Sequence, residues 1–449
     1  MKKPSLLCDY LHEYAADEKW RLVAENHENI SSAVVVPAYA EKESIFSTLV
    51  SLARNPVSFL EDTLIICVVN NKGNSPAVDV KNNQDTLAML KALIGRKRLG
   101  GYRADGDIYH FLTMLADSKI RLAYVDVSSP GYELPEKDGG VGMARKIGMD
   151  AALRLWTGDS LDTRLILSLD ADTLVQNNYL SSIKHYFTKK MKTAIVAYEH
   201  QTPPDEETKA AIYYYEIFLR YWVLELQYAQ SPYAYHSIGS TIVTTAEAYL
   251  EVRGMNKRQA GEDFYFLGKL AKLGKIGYVK ETRVFPSARP STRVPFGTGK
   301  GVRRFLSGGH REYPVYDPRV FFILKKWLEL ISRSTDSDAV QILAETENIH
   351  PVLKKYLINC RFEMFWIQVR RRAKKEMLSR QFHHWFDAFK TLKLINYFTR
   401  EEYPPVNIFM ASRGIMSMAG RCDFDFSASG EPPVLEEQLR ILQYLRKIT

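Results

Sequence analysis

Asp170-Ala171-Asp172 closes the apolar run LILSLDADT, and two carboxylates at that spacing are the residues of this chain best suited to a hard divalent cation. On a strand the two-residue period would send both side chains to one side, so the sequence predicts a same-face pair at a strand end. A second acidic pair, Glu262-Asp263, opens an apolar stretch with helical spacing (Phe264, Leu267, Ala271) that Gly274 stops. A carboxylate there could remove a proton from a hydroxyl, and it could equally do no more than complement the helix dipole.

Two further groups bring positive charge and close backbone. Lys137 and Arg145 bracket the turn of Gly139, Gly140 and Gly142, whose missing side chains would let a backbone approach a ligand while the cations face a diphosphate. Arg289, Arg293, Lys300, Arg303 and Arg304 are interleaved with prolines and glycines in SARPSTRVPFGTGKGVRR, a loop whose guanidiniums could clamp phosphate oxygens or an anionic acceptor. His236, near Gly239-Ser240, competes with the acidic pair for the role of base.

The elements needed to position these groups are those of an α/β domain. Val34 to Glu41, VVVPAYAE, is a buried strand that Pro37 should stop; a helix holding Ile45, Leu49 and Leu52 on one side follows, then a second strand, Leu64 to Asn71. Further strands are predicted over Arg121 to Val127, Leu165 to Thr173 and Thr193 to Tyr198, with a helix entered from the glycine turn and carrying Ala144, Ile147 and Ala151 inward. Between the second and third strands, Gly73 to Asp117 reads as an insertion or mobile loop with basic (Arg96-Lys97-Arg98) and glycine-rich (Gly100-Gly101) pieces. Past about residue 313 the pattern turns helical around Trp327, Trp366 and Trp385, giving an expected organisation of a helical extension at 1–30, a catalytic domain at 31–312 and a helical unit at 313–449.

In order along the chain, VVVPAYAEKESI, a strand ending in Asn70-Asn71, the Lys137 to Arg145 turn, DADT, IGSTIVTTAEAYLEVRGM and GEDFYF together resemble the motifs of family 2 glycosyltransferases, over residues 31–280. The resemblance implies the GT-A fold, a Rossmann-like, mostly parallel sheet with flanking helices. It also implies an inverting transfer from a nucleotide-diphospho-sugar donor, such as a UDP- or GDP-sugar, and a Mg²⁺ or Mn²⁺ ion held by Asp170 and Asp172. Pro37, Tyr39 and Glu41 match the family's base and ribose pocket, with Ala40 where Asn is usual, and Asn70 stands where an aspartate commonly meets the base. An amide both donates and accepts, so the base is left open. Lys137, Gly139, Gly140 and Arg145 match the diphosphate turn, with Lys146 in place of Asn. Gly239 and Ser240 match the segment beside donor sugar and acceptor, and the Glu-Asp pair matches the catalytic base, assigned to Asp263 with Glu262 as its neighbour. The processive members' Gln-x-x-Arg-Trp motif is absent, so a single, non-processive transfer is expected.

Composition narrows the rest. The 449 residues are 46% hydrophobic and 25% charged, ordinary for a folded chain of about two domains. The four cysteines are scattered without zinc spacing, the N-terminus lacks a secretory pattern, and no apolar run nears the ~20 residues a bilayer span needs. A cytoplasmic protein is expected, with the net charge of +9 and the basic stretch RFEMFWIQVRRRAKK compatible with peripheral membrane contact, although a solvated face on a packed helix is the commoner origin of such a stretch. No nucleic-acid-binding motif is present; the expected acceptor is a small molecule or a lipid-linked one, with a homo-oligomer also compatible. A nucleotidyltransferase would carry a glycine-rich basic signature where Pro37-Ala38-Tyr39 stands, and a silent basic binding protein would release no nucleotide.

Overall fold

The computed structural model describes residues 6–95, 106–156, 160–188, 190–291, 297–308, 313–418 and 432–449. The chain divides into two compact units. The first comprises residues 1–201, 237–287 and 293–297, and the second residues 202–236, 288–292 and 298–449. The division is discontinuous, so neither unit coincides with an unbroken segment such as 31–312. The long helix Glu206–Tyr228 is the reason, since Ala211, Ile217, Tyr221 and Leu224 are buried in one core with the C-terminal helices.

The first unit is built on a nine-stranded sheet with β1 (Leu22–Ala24), β2 (Ser32–Ala38), β3 (Thr63–Asn70), β4 (Arg121–Val127), β5 (Leu165–Ser168), β6 (Leu174–Val175), β7 (Thr193–Tyr198), β8 (Ile242–Thr245) and β9 (Gly277–Phe285), in the order β1-β4-β3-β2-β5-β8-β7-β9-β6. The block β4-β3-β2-β5 is parallel, and β8 runs antiparallel to both β5 and β7. Parallel strands are covered on both faces and become apolar throughout, which is why every residue of β2 and β3 is buried. Helices Lys42–Ala53 and Ala77–Ile94 make the crossovers on the β3 side, and helix Val141–Leu153 returns the chain to place β5 on the other side of β2. The order therefore reverses at β2, and the crevice beyond the carboxyl ends of strands at such a reversal is where an α/β sheet takes a ligand.

Three local expectations change. β2 runs through Pro37 to Ala38, because its pairing with β5 ends at Val35 and Ser168; past that point only β3 bonds to it, leaving the missing N–H without consequence. The stretch after β3 is mostly ordered helix, Ala77–Ile94 and Gly106–Asp117, while Arg96-Lys97-Arg98 and Gly100-Gly101 lie outside the described residues. Residues 1–30 supply a helix, Leu6–Glu13, and also β1, which extends the sheet antiparallel to β4.

The second unit is helical. Trp327, Phe362 and Trp366 are buried together with Phe382 and Phe386, the rings of Phe362, Phe382 and Phe386 standing edge-on to Trp327 at centroid distances of 5.4, 5.5 and 6.2 Å. Asp317 caps helix Pro318–Arg333 through the Arg319 amide, with proline at the first position where its missing donor does no harm. No helix among the described residues is long and apolar enough to cross a membrane.

Candidate active site

The carboxyl ends of β2 and β3 are tied together by one helical amide. Asn83, fully buried on Ala77–Ile94, accepts from the Ala40 amide (2.8 Å) and donates to the Asn70 carbonyl (3.0 Å) and to the Asn71 side chain (3.1 Å), which also accepts from the Ser128 hydroxyl. Tyr39 donates its hydroxyl to Asp79 at 2.7 Å. Tyr39, Ala40 and Asn70 thus share one rim, with the Asn71 amide committed to the scaffold. Ala40 itself adopts φ 52°, the left-handed region that asparagine tolerates and alanine disfavours. Neither Asn83 nor Asp79 was foreseeable as part of this rim, since a lone polar residue in a helical stretch carries no spacing signal.

Asp170 and Asp172 are not on a strand. β5 ends at Ser168, and Asp170 opens a turn closed by the Thr173 amide on the Asp170 carbonyl (3.1 Å), so strand alternation does not orient the pair. The turn is instead held from outside, by the Thr48 hydroxyl on the Ala171 carbonyl (2.9 Å) and by the Gln201 side chain on the Asp172 carbonyl (3.0 Å). Ser240 donates to the second oxygen of Asp170 (2.7 Å) and is itself 3.2 Å from the Thr173 hydroxyl, so the segment Gly239–Thr241 does reach the acidic turn.

Arg145 joins the two acidic pairs. From helix Val141–Leu153 its guanidinium pairs with Asp170 through Nη2 and with Glu262 through Nη1, and Arg145 and Glu262 are both almost fully buried. Burial works against this cation, but Asp170, Glu262 and Asp263 together outweigh it and hold the guanidinium's pKa above its ordinary value. Burial likewise pushes Glu262 up despite Arg145, with the Asp263 charge adding to the rise. Asp263, half-buried, is also raised by burial, opposed by Arg145 and by the Phe264 amide, which donates to its carboxylate at 2.7 Å. Gly261, at φ 68°, makes the left-handed turn that starts helix Glu262–Leu270 here.

The glycine turn is packed more than it is open. A side chain on Gly139 would strike the Pro135 carbonyl, on Gly140 the backbone of Gln259, and on Gly142 the carbonyls of Arg258 and Asn256. The space beside each glycine is thus filled by the chain's own backbone. Lys137 is exposed, its carbonyl accepting from Gln259 at 3.0 Å. Lys146 points elsewhere: it pairs with Asp150 (3.0 Å) and donates to the Tyr10 hydroxyl (2.7 Å), while Tyr10 and Tyr249 both donate to Asp150. That buried group fixes the helix carrying Arg145 against the N-terminal segment.

Other expected residues fall outside this cluster. His236 belongs to the second unit, where burial, reinforced by Arg220, lowers its pKa to about 3 beside Glu216. Arg289 is a half-buried member of the second unit, and Arg293 lies outside the described residues.

Among the described residues no group of three or more His, Cys, Asp and Glu is placed to hold a metal ion unaided. Asp170 is one-third exposed and offers carboxylate oxygen beside Ser240. With Arg145 on one carboxylate oxygen and Ser240 on the other, Asp170 could serve as only one ligand of an ion whose shell substrate phosphates and water complete, as Mg²⁺ shells commonly are.

No family model and no curated protein matches the chain. Among solved structures it is similar to S. aureus TarS 1–349 in complex with UDP-GlcNAc, at 12% identity over 80% of this chain and 91% of that one, with a TM-score of 0.37. TarS 1–349 in complex with UDP is similar at 11% identity over the same shares, TM-score 0.36. The chain is also similar to the mannosyltransferase PcManGT from Pyrobaculum calidifontis in complex with GDP-Man and Mn²⁺, at 10% identity over 98% of this chain and 91% of that one, TM-score 0.35. At these values the functional reading rests on this chain's own residues.

Proposed function

We propose that the chain is a glycosyltransferase that moves a sugar from a nucleotide-diphospho-sugar to an acceptor hydroxyl in one inverting, non-processive step. The observation that carries this reading is the buried guanidinium of Arg145 between Asp170, in the turn after β5, and Glu262, next to Asp263. It links the carboxylate suited to the donor's cation with the acidic pair suited to the acceptor.

In the proposed step Asp263 takes the proton of the acceptor hydroxyl as that oxygen attacks the anomeric carbon. The bond from that carbon to the diphosphate breaks, its electron pair leaves with the nucleoside diphosphate, and the configuration inverts. Asp263 suits this role better than Glu262 because it is half-open whereas Glu262 is committed to Arg145. Asp170 and Asp172 would hold a Mg²⁺ or Mn²⁺ ion, which when bound neutralises charge on the departing diphosphate. Tyr39 and Asn70 would meet the base, with Pro37 and Glu41 beside them, and Lys137 is the cation proposed for the phosphates.

The test is release of nucleoside diphosphate from a panel of UDP- and GDP-sugars with Mn²⁺, with and without added acceptors. Release that disappears in Asp172→Asn, together with metal-dependent donor binding in calorimetry, is the expected result. Pyrophosphate from a nucleoside triphosphate and a sugar phosphate, with no diphosphate from any nucleotide-sugar, would make the chain a nucleotidyltransferase. Activity in neither assay would leave a binding protein.

A further inference from the structure

In the second unit, helices Pro351–Asn359 and Phe362–Arg372 bury one side, the turn Lys375–Met377 that follows is wholly exposed, and the outward side is unlike an ordinary solvated surface. Leu353, Tyr356, Leu357, Phe362 and Trp366 go inward. Outward stand Ile358, Met364, Ile367 and Met377, with exposures of 54%, 56%, 41% and 38%. Met364, Ile367 and Arg371 follow the i, i+3, i+7 spacing of a single helix face.

Charge on the same stretch is strongly one-sided. Between residues 358 and 380 there are seven Lys and Arg against Glu363 and Glu376. Arg370 is spent on the Ser337 carbonyl (2.9 Å), and Lys375 on Asp336 (2.7 Å). Arg371 and Arg372, both exposed, form no ion pair among the described residues. Aliphatic side chains held outward among unspent guanidiniums match the boundary of an anionic bilayer, where the chains enter the interface and the cations stay at the headgroups. Nucleic acid is the poorer match, because single strands need aromatic platforms. Here Phe362 and Trp366 face the core, and Phe365 is stacked on Trp385 at 4.5 Å.

We infer that the face of Met364, Ile367 and Arg371, with Arg372 at its edge, docks this chain on the surface of an anionic lipid bilayer. Attachment here does not depend on the reaction proposed above.

The experiment is co-sedimentation of the full chain with phosphatidylglycerol-containing vesicles and with pure phosphatidylcholine vesicles. Binding to the anionic vesicles alone is expected. A basic residue near such a surface contributes about fivefold in partitioning, so R371Q/R372Q should lower binding by roughly 10-fold or more. M364S/I367S should lower the part of the binding that survives raised salt. Both variants change exposed side chains, and an unchanged circular dichroism spectrum and Tm identify a docking effect. Equal binding to both vesicle types, no binding to either, full binding by both variants, or complete displacement of vesicles by an equal charge of single-stranded nucleic acid would each overturn the proposal.

Discussion

Arg145 and Glu262 form an ion pair that is almost wholly removed from water, and the guanidinium's other edge holds Asp170. One cation therefore serves three carboxylates, counting Asp263. Removing it strands buried negative charge, which costs about 3–5 kcal/mol where a pair is deeply buried. Arg145→Met should destabilise the chain by about 3 kcal/mol in urea unfolding, with part of the loss recovered at acid pH as the carboxylates take up protons. Lys at this position keeps the charge but reaches only one partner at a time, so Arg145→Lys should fall between the two.

The raised Glu262 carboxyl gives stability a specific pH dependence. A carboxyl whose folded pKa exceeds its unfolded value of about 4.3 binds more protons in the folded state between those two values. Its contribution is therefore complete below the unfolded value and is lost as pH rises through the folded one. Denaturant unfolding between about pH 4 and about pH 8 should show this decline in the parent chain and a flatter profile in Glu262→Gln. Equal slopes would mean that Glu262 titrates as it does in the unfolded chain.

Gly239 lies against the same guanidinium. A Cβ there would overlap the Nη2 and Cζ atoms of Arg145, so Gly239→Ala must push the side chain off Asp170 or shift the short turn before β8. Overpacking of this kind costs about 1–3 kcal/mol. A lower Tm together with lower kcat/KM is expected. An alanine variant with parental values of both would show that the turn yields without disturbing Arg145.

Much of this arrangement is legible in the sequence. The strands Arg121–Val127 and Thr193–Tyr198 are β-branched apolar runs with polar ends, and a helix start at Glu262 follows from the acidic pair and the spacing of Phe264 and Leu267. The acidic turn is not legible as a turn. LILSLDADT reads as one strand because Leu169 and Ala171 are apolar, whereas the turn after Ser168 is held by contacts from Thr48, Gln201 and Ser240, all distant in sequence. Arg145 was identifiable as a cation in a glycine-rich turn, but its partners depend on how the helix lies over β2 and β3, with Gly148 against Val35 and Val68. The assignment of helix Glu206–Tyr228 to the second unit depends on core packing and leaves no mark in local spacing.

Ala40 offers a stabilising change. Its φ of 52° places a Cβ in a conformation that costs about 1–2 kcal/mol for ordinary L-residues and less for asparagine or glycine. The amide must stay where it is, since it donates to Asn83. Ala40→Asn and Ala40→Gly should each raise stability by about 0.5–1 kcal/mol, Gly giving the smaller gain because it also loosens the unfolded chain. Thermal unfolding decides this, and a fall in Tm for both variants would show that Ala40 is not strained.

Asp263 is the proposed base, and three features of its surroundings bear on how it would behave. It opens helix Glu262–Leu270, its carboxylate accepts from the Phe264 amide, and burial outweighs Arg145 in raising its pKa. A base must be ionised to accept a proton, so a raised pKa moves the acidic limb of kcat/KM to higher pH than an ordinary aspartate near 3.9 would give. Asp263→Asn keeps the shape and removes the acceptor; donor affinity should change little while kcat falls by roughly 10²-fold or more. Glu262→Gln should act differently, weakening the hold on Arg145 and lowering stability as well as turnover. His236, buried with Arg220 and Glu216 in the second unit, should influence stability rather than the acidic limb. If Asp263→Asn retained near-parental turnover and the acidic limb vanished in Glu262→Gln, proton abstraction would belong to Glu262, and the pairing with Arg145 would have to break during each transfer.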